Sequence, residues 1–188
     1  YNTAVGTNSL GGNTTASFNT SMGYASLDAN TTGHSNTGIG VSTLTDNTTG
    51  EQNVAVGRDA LNKNTTGVNN TVIGYYPMYY NTTGTDNTAL GYQALYQNVS
   101  GNHNFAAGNE ALCKNWGGCY NQAIGYRALE CNATGSQNTA LGQYALRSNT
   151  TGGCNNAIGR SSLSTNTEGA HNTAIGYAAM QDNTTGCY

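Results

Sequence analysis

From Asn2 onward the apolar residues return to the same places every 17 residues, and the phrase N-T-A-I-G-Y-x-A-L-x-x-N-T-T-G-x-x is written eleven times, ending at Tyr188. The copies run 2–18, 19–35, 36–52, 53–69, 70–86, 87–103, 104–120, 121–137, 138–154, 155–171 and 172–188. Position 4 is aliphatic from Val5 to Ile175, position 9 is Leu or Met from Leu10 to Met180, and positions 3 and 8 are mostly small. These four columns are the expected core, with two large aliphatics per repeat. A fixed period of this size marks a solenoid, in which each repeat buries its apolar residues only against its neighbours. Positions 1 to 4 suit a short strand pairing in parallel with the same segment one coil away. The predicted fold is a mainly β repeat solenoid, a single domain over 1–188 made of eleven 17-residue coils. Positions 6 to 11, Tyr126 to Cys131 in one copy, suit a single helical or 3₁₀ turn per coil. On sequence, all-β coils and strand-plus-turn coils both stay open.

Gly fills position 5 in all eleven copies and position 15 in ten, Ala16 being the exception, so each coil has at least two corners. Asn fills positions 1 and 12 throughout. Stacked identical Asn side chains can hydrogen-bond up and down a ladder while satisfying the turn backbone. The first and last repeats keep the full core pattern, and Tyr1 fits position 17 of a preceding repeat. Solenoids that end in water normally carry polar caps. The expectation is a segment of a longer array, or a unit that stacks end to end. With no signal peptide or initiator Met in view, it is also a mature product or an excised piece.

Composition narrows the function. The chain has 28 Asn, 28 Thr and 26 Gly, and 8% of its residues are charged against a usual share of about 25%. Apolar residues at fixed intervals are not the mark of a disordered linker. The net charge is −3, and Arg58, Lys63, Lys114, Arg127, Arg147 and Arg160 are scattered, so no basic patch exists to meet nucleic acid. No apolar run approaches the ~18–20 residues of a membrane span. His34, His103 and His171 and the nine acids are dispersed, and no phosphate-cradle, zincin or calcium-repeat motif occurs. The expectation is a non-enzyme with no catalytic residues, metal or cofactor.

Four features are candidates for contact or modification. Sequons N-x-[ST] open at Asn13, Asn30, Asn47, Asn64, Asn81, Asn98, Asn132, Asn149 and Asn183 in position 12, and at Asn19 and Asn69. The row reads either as turn chemistry or as a line of N-glycan acceptors along the rod. Thr columns at positions 2, 13 and 14 invite an ice-binding reading. Against it, the paired Thr of each turn are adjacent, so in a strand they would point to opposite faces. Tyr recurs at position 6, where it reads as a shield over a thin core. The cluster Tyr75, Tyr76, Tyr79 and Tyr80, with Tyr96 one coil on, reads as an interface with another chain or a sugar. Five Cys lie in the C-terminal half. Cys113 and Cys131 are near enough in the repeat to bridge, whereas Cys119, Cys154 and Cys187 recur in alternate coils, about 10 Å apart. Surface Cys in such a chain favours an oxidising compartment.

The phrase N-T-A-[IL]-G-Y-x-A-L, at Asn87 to Leu95 and, with Met last, at Asn172 to Met180, resembles tandem repeats of phage tail-fibre-like and surface-adhesin proteins. It is similar also to the shorter repeats of trimeric autotransporter adhesin heads, although the 17-residue period and the Cys depart from those heads. The resemblance implies an elongated, often trimeric structure outside the cell, on a cell or virion surface. The expected function is the structural module of an extracellular filament that associates with itself and carries a glycan coat where the sequons are used. The alternative is an adhesin-like module binding surface carbohydrate through the tyrosine cluster; ice binding is a minor third.

Overall fold

The computed structural model describes residues 1–187; Tyr188, the last residue of the eleventh repeat, lies outside them. Each repeat contributes one three-residue strand at positions 2 to 4. These are β1 (Thr3–Val5), β2 (Thr20–Met22), β3 (Thr37–Ile39), β4 (Val54–Val56), β5 (Thr71–Ile73), β6 (Thr88–Leu90), β7 (Phe105–Ala107), β8 (Gln122–Ile124), β9 (Thr139–Leu141), β10 (Asn156–Ile158) and β11 (Thr173–Ile175). They form one parallel sheet in sequence order. Every pairing joins residues 17 apart, from Thr3 with Thr20 to Ile158 with Ile175. The fold is a parallel β-solenoid, and no helix occurs among the described residues.

The helical or 3₁₀ turn expected at positions 6 to 11 is replaced by a flat, hydrogen-bonded turn. Its backbone is left-handed at positions 7 and 9, with φ of 54° at Arg127 and 53° at Leu129. A right-handed turn closes its hydrogen bonds on itself. Here the alternation in handedness turns the N–H groups of positions 7, 9 and 11 toward neighbouring coils. In the sixth coil, Gln93 donates back to the Tyr75 carbonyl at 3.1 Å, while Leu95 and Gln97 donate forward to Ala111 and Cys113 at 3.0 and 2.8 Å. Position 17 is left-handed too, as at His103 with φ 55°.

Side-chain type follows from these dihedrals. Positions 7, 9 and 17 contain no Val, Ile or Thr in any coil, because a β-branched side chain at positive φ clashes with its own backbone. That is why position 9 is always Leu or Met while position 4, on a strand, favours Ile and Val. Leu112→Ile is therefore expected to cost about 3 kcal/mol, more than a volume-conserving core swap. Leu112→Met should cost under about 1 kcal/mol. Urea denaturation of the two variants checks this.

The core differs from the four-column expectation. Positions 3, 8 and 9 point inward: Ala89, Ala94 and Leu95, like their equivalents in the central coils, are fully buried. Position 4 points outward, leaving Ile39 38%, Ile73 44% and Ile124 43% exposed. Successive side chains on a strand alternate faces, so when position 3 enters the coil, positions 2 and 4 leave it. Position 3 wins because the opposite wall, positions 8 and 9, lies too close for a second large aliphatic. Among the described residues, and apart from Val72 in the fifth coil, one Leu or Met per coil is the only large side chain in the apolar half.

Asparagine fills the rest of the interior. Asn87, at position 1, donates from Nδ2 to Asn70 Oδ1 at 3.1 Å and to the Gly101 carbonyl at 2.9 Å. Its own Oδ1 accepts the backbone N–H and the Nδ2 of Asn104 at 3.0 and 3.1 Å. Asn98, at position 12, donates to Asn81 Oδ1 and to the same Gly101 carbonyl, both at 3.0 Å, and accepts from Asn115 at 2.7 Å. Two ladders thus meet at one glycine carbonyl per coil. Burial of these amides is tolerable because their hydrogen bonds are satisfied. The exception marks the cause: where position 15 is Ala16, the next coil's Asn30 bonds Gly33 but not Asn13, and Asn13 Oδ1 is buried without a partner.

Candidate functional site

The position 12 row turns inward. Of the eleven sequon asparagines, Asn19, Asn30, Asn47, Asn64, Asn81, Asn98, Asn132 and Asn149 are buried. Their Nδ2 atoms, the atoms a glycan would use, are engaged inside the rod, as at Asn64 with Asn47 Oδ1 and the Gly67 carbonyl. Asn13 and Asn183 are half-buried, and Asn69 alone is exposed, its Nδ2 bonded to Asp86 at 3.1 Å. The folded coil therefore presents no surface row of acceptors, and N-T-T-G serves here as turn chemistry. The position 13 hydroxyls are likewise committed to cohesion: those of Thr31, Thr48 and Thr65 donate to the carbonyl at position 13 of the next coil at 3.0 to 3.1 Å.

No disulfide joins the cysteines among the described residues. The expected Cys113–Cys131 bridge is not formed; both thiols are free and half-buried. Burial above all, helped by Glu110 and Glu130, pushes the Cys113 thiol up to about 11, so it stays protonated at neutral pH.

The five tyrosines singled out from the sequence lie together, with Tyr92 added. Tyr75 stacks on Tyr92 at 6.0 Å and meets Tyr76 edge-on at 4.6 Å. Tyr76 contacts Tyr79 at 5.5 Å, and Tyr79, Tyr80 and Tyr96 close a triangle with centroids 4.8 to 5.8 Å apart. Burial and the hydrogen bond with Tyr80 push the Tyr96 hydroxyl up to about 12. The position 6 tyrosines stand on the surface: Tyr24, Tyr75 and Tyr177 are 56%, 45% and 76% exposed.

At one end of this cluster an open groove of about 730 Å³ runs over the turn surface, lined by Tyr80, Thr82, Gln97, Val99, Ser100, Trp116, Gly117 and Thr134. Tyr80 and Trp116 flank it, with Val99 between them on the coil that separates theirs. Trp116 is 60% exposed, and its indole N–H donates to Gln97 Oε1 at 3.3 Å. Two aromatic side chains two coils apart, an apolar Val and a lining of hydroxyls and one amide suit a sugar chain, whose rings stack on aromatics while their hydroxyls exchange hydrogen bonds. No carboxylate, His or Cys lines the groove. Trp116 stands in a column, position 13, that is Thr in eight of the eleven coils. Its signal was the 17-residue step that sets it directly over Val99.

The two ends of the rod are contact surfaces of another kind. Leu27 through Leu163 are fully buried because coils lie on both sides of them, whereas Met180, in the same column, is 42% exposed. β1 and β11 each pair on one side only. No family model, curated protein or solved structure matches this chain.

Proposed function

We propose that the chain is the structural module of an extracellular fibre built by continuing the stack of coils beyond its two ends. One observation carries this reading. The face on the β1 side and the face on the β11 side are the two halves of the coil-to-coil contact that recurs ten times within the rod. A further coil, from a second copy or from more of the same repeat, would cover Met180 and extend the sheet. Such a head-to-tail contact does not close on itself and propagates as a filament. The extracellular setting rests on the likeness of the repeat phrase to surface fibres and on the low charge. The fibre in this reading has no continuous glycan coat, because the sequon row is folded inward.

Met180→Glu tests it. The carboxylate replaces the apolar atoms that a following coil would cover, and desolvating it there is costly; circular dichroism checks that the variant stays folded. The native chain is expected to form rods longer than its own ~53 Å, eleven rises of ~4.8 Å, in negative-stain micrographs. Met180→Glu should leave rods no longer than that single-chain length. Native chains that remain single rods at high concentration would refute end-to-end growth.

The groove supports a second reading, binding of a neutral polysaccharide. Trp116→Ala with Tyr80→Ala removes both stacking faces. It should abolish retardation in a hydroxyethyl cellulose gel, a loss of tenfold or more in affinity. Equal mobility of native and variant chains would rule the groove out for that ligand.

A further inference from the structure

The outward face of the sheet belongs to neither surface above. Positions 2 and 4 place two side chains per coil on it, and none of the residues in those columns is Asp, Glu, Lys or Arg. Its spine is the exposed aliphatic column, including Ile73 at 44%, Ile124 at 43% and Ile158 at 39%. The ten pairings keep one register without a bulge, so the two columns run unbroken along the rod. Over about 53 Å of length and about 12 Å of width the strip covers about 640 Å². That is at the upper end of apolar patches on monomers, about 300–600 Å². It also approaches the ~800 Å² per partner of a standard interface. A charge-free strip of this size suits a like, charge-free surface.

The seventh coil identifies that surface. Position 2 is Thr in seven coils and position 4 is usually Ile, Leu or Val, but β7 reverses the sizes: Phe105 at position 2, 37% exposed, and Ala107 at position 4. A Phe with an Ala fills about the same volume as a Thr with an Ile. Such compensation is expected where the two positions face each other across a gap of constant width. Within one strand both positions point the same way, so they do not face each other. They do so across a two-fold axis parallel to the rod, which sets position 2 of each copy against position 4 of the other at the same level. Phe105 then enters the notch over the partner copy's Ala107, twice by symmetry.

We propose that this face binds a second copy of the chain, sheet to sheet about a two-fold axis along the rod, with the Phe105–Ala107 pair setting the register. Sheets meeting this way lie about 10 Å apart with interdigitated side chains, and the symmetric contact is isologous and closed. The pairing is independent of growth at the ends.

Sedimentation of the Met180→Glu chain isolates it, because end-to-end contacts are then blocked. The chain is expected to sediment as a dimer well above micromolar concentration, and Ile73→Lys with Ile124→Lys should convert it to a folded monomer, checked by circular dichroism. Ala107→Phe should also give a monomer, since the introduced ring would collide with the partner copy's Phe105, twice by symmetry, at the level of β7. Adding Phe105→Ala to Ala107→Phe recreates knob and notch in reverse and should restore the dimer. A Met180→Glu chain that stays monomeric would leave the face to another occupant, such as ice or polysaccharide, and overturn the proposal. So would a dimer that tolerates both lysines, and a dimer indifferent to Ala107→Phe overturns the register.

Discussion

Asn98→Asp, which exchanges an amide for a carboxylate of the same shape, is expected to destabilise the rod by about 4 kcal/mol or more at pH 7. Two effects add. The carboxylate has no hydrogens for Asn81 Oδ1 and the Gly101 carbonyl, both now acceptors facing acceptors at 3.0 Å. It is also a charge in a fully buried column with no cation beside it. The pH dependence has a definite sign. Burial among acceptors raises the folded-state pKa of this Asp above its unfolded value of about 3.9. The deficit is therefore smallest below about pH 4, where the carboxyl is protonated in both states, and grows as pH rises. Thermal melts of native and variant chains across pH 3 to 8 measure this directly. A deficit independent of pH would mean that the folded-state pKa of this Asp is not raised, as when water reaches the carboxylate. Because a solenoid's stability is a sum over coils and contacts, the damage should appear in hydrogen exchange first around the sixth coil.

Gly108→Ala is the second large effect, at least about 3 kcal/mol. Gly108 has φ +135°, a backbone conformation that L side chains rarely adopt, and a Cβ there would lie 2.7 Å from the Gly125 carbonyl oxygen and 2.8 Å from its carbon. Both atoms are backbone and part of the next coil, so relief requires the coils to separate. The chain contains its own control. Gly176 has φ +122°, yet a Cβ on it meets nothing within 4 Å. With the end kept free by Met180→Glu, Gly176→Ala should therefore carry the dihedral strain without the collision, about 1–3 kcal/mol. The difference between the two melts isolates the close approach of adjacent coils. Equal losses would mean that backbone strain, not coil spacing, demands glycine at position 5.

Much of this architecture is legible in the amino-acid order. The 17-residue period, glycine at position 5 and the run N-T-A-I specify stacked coils with a parallel strand within positions 1 to 4, and the strands occupy positions 2 to 4 in all eleven coils. The left-handed turn was also written in the chain, as the absence of β-branched residues from positions 7, 9 and 17. Residue type there reports the dihedral, but only a reader already asking about φ would see it. The Tyr75 to Tyr96 cluster followed from the period, since residues 17 apart must stack. Trp116 followed from the same rule but was hidden by its place in a Thr column.

What the order of residues left undecided was which side of each strand and turn is inside. Ala at position 3 and Ile at position 4 are both apolar, and a strand of three residues is too short for alternation to choose between them. Closure of the coil chose. The wall at positions 8 and 9 leaves room for Ala but not Ile, so the larger aliphatic went to the surface. Position 12 was undecided for the matching reason. An asparagine in a turn reads as solvent-facing, and only the neighbouring coil's Asn and the glycine carbonyl between them provide the hydrogen bonds that allow it inside. Period and pairing are local properties repeated; inside and outside exist only once neighbouring coils enclose a space.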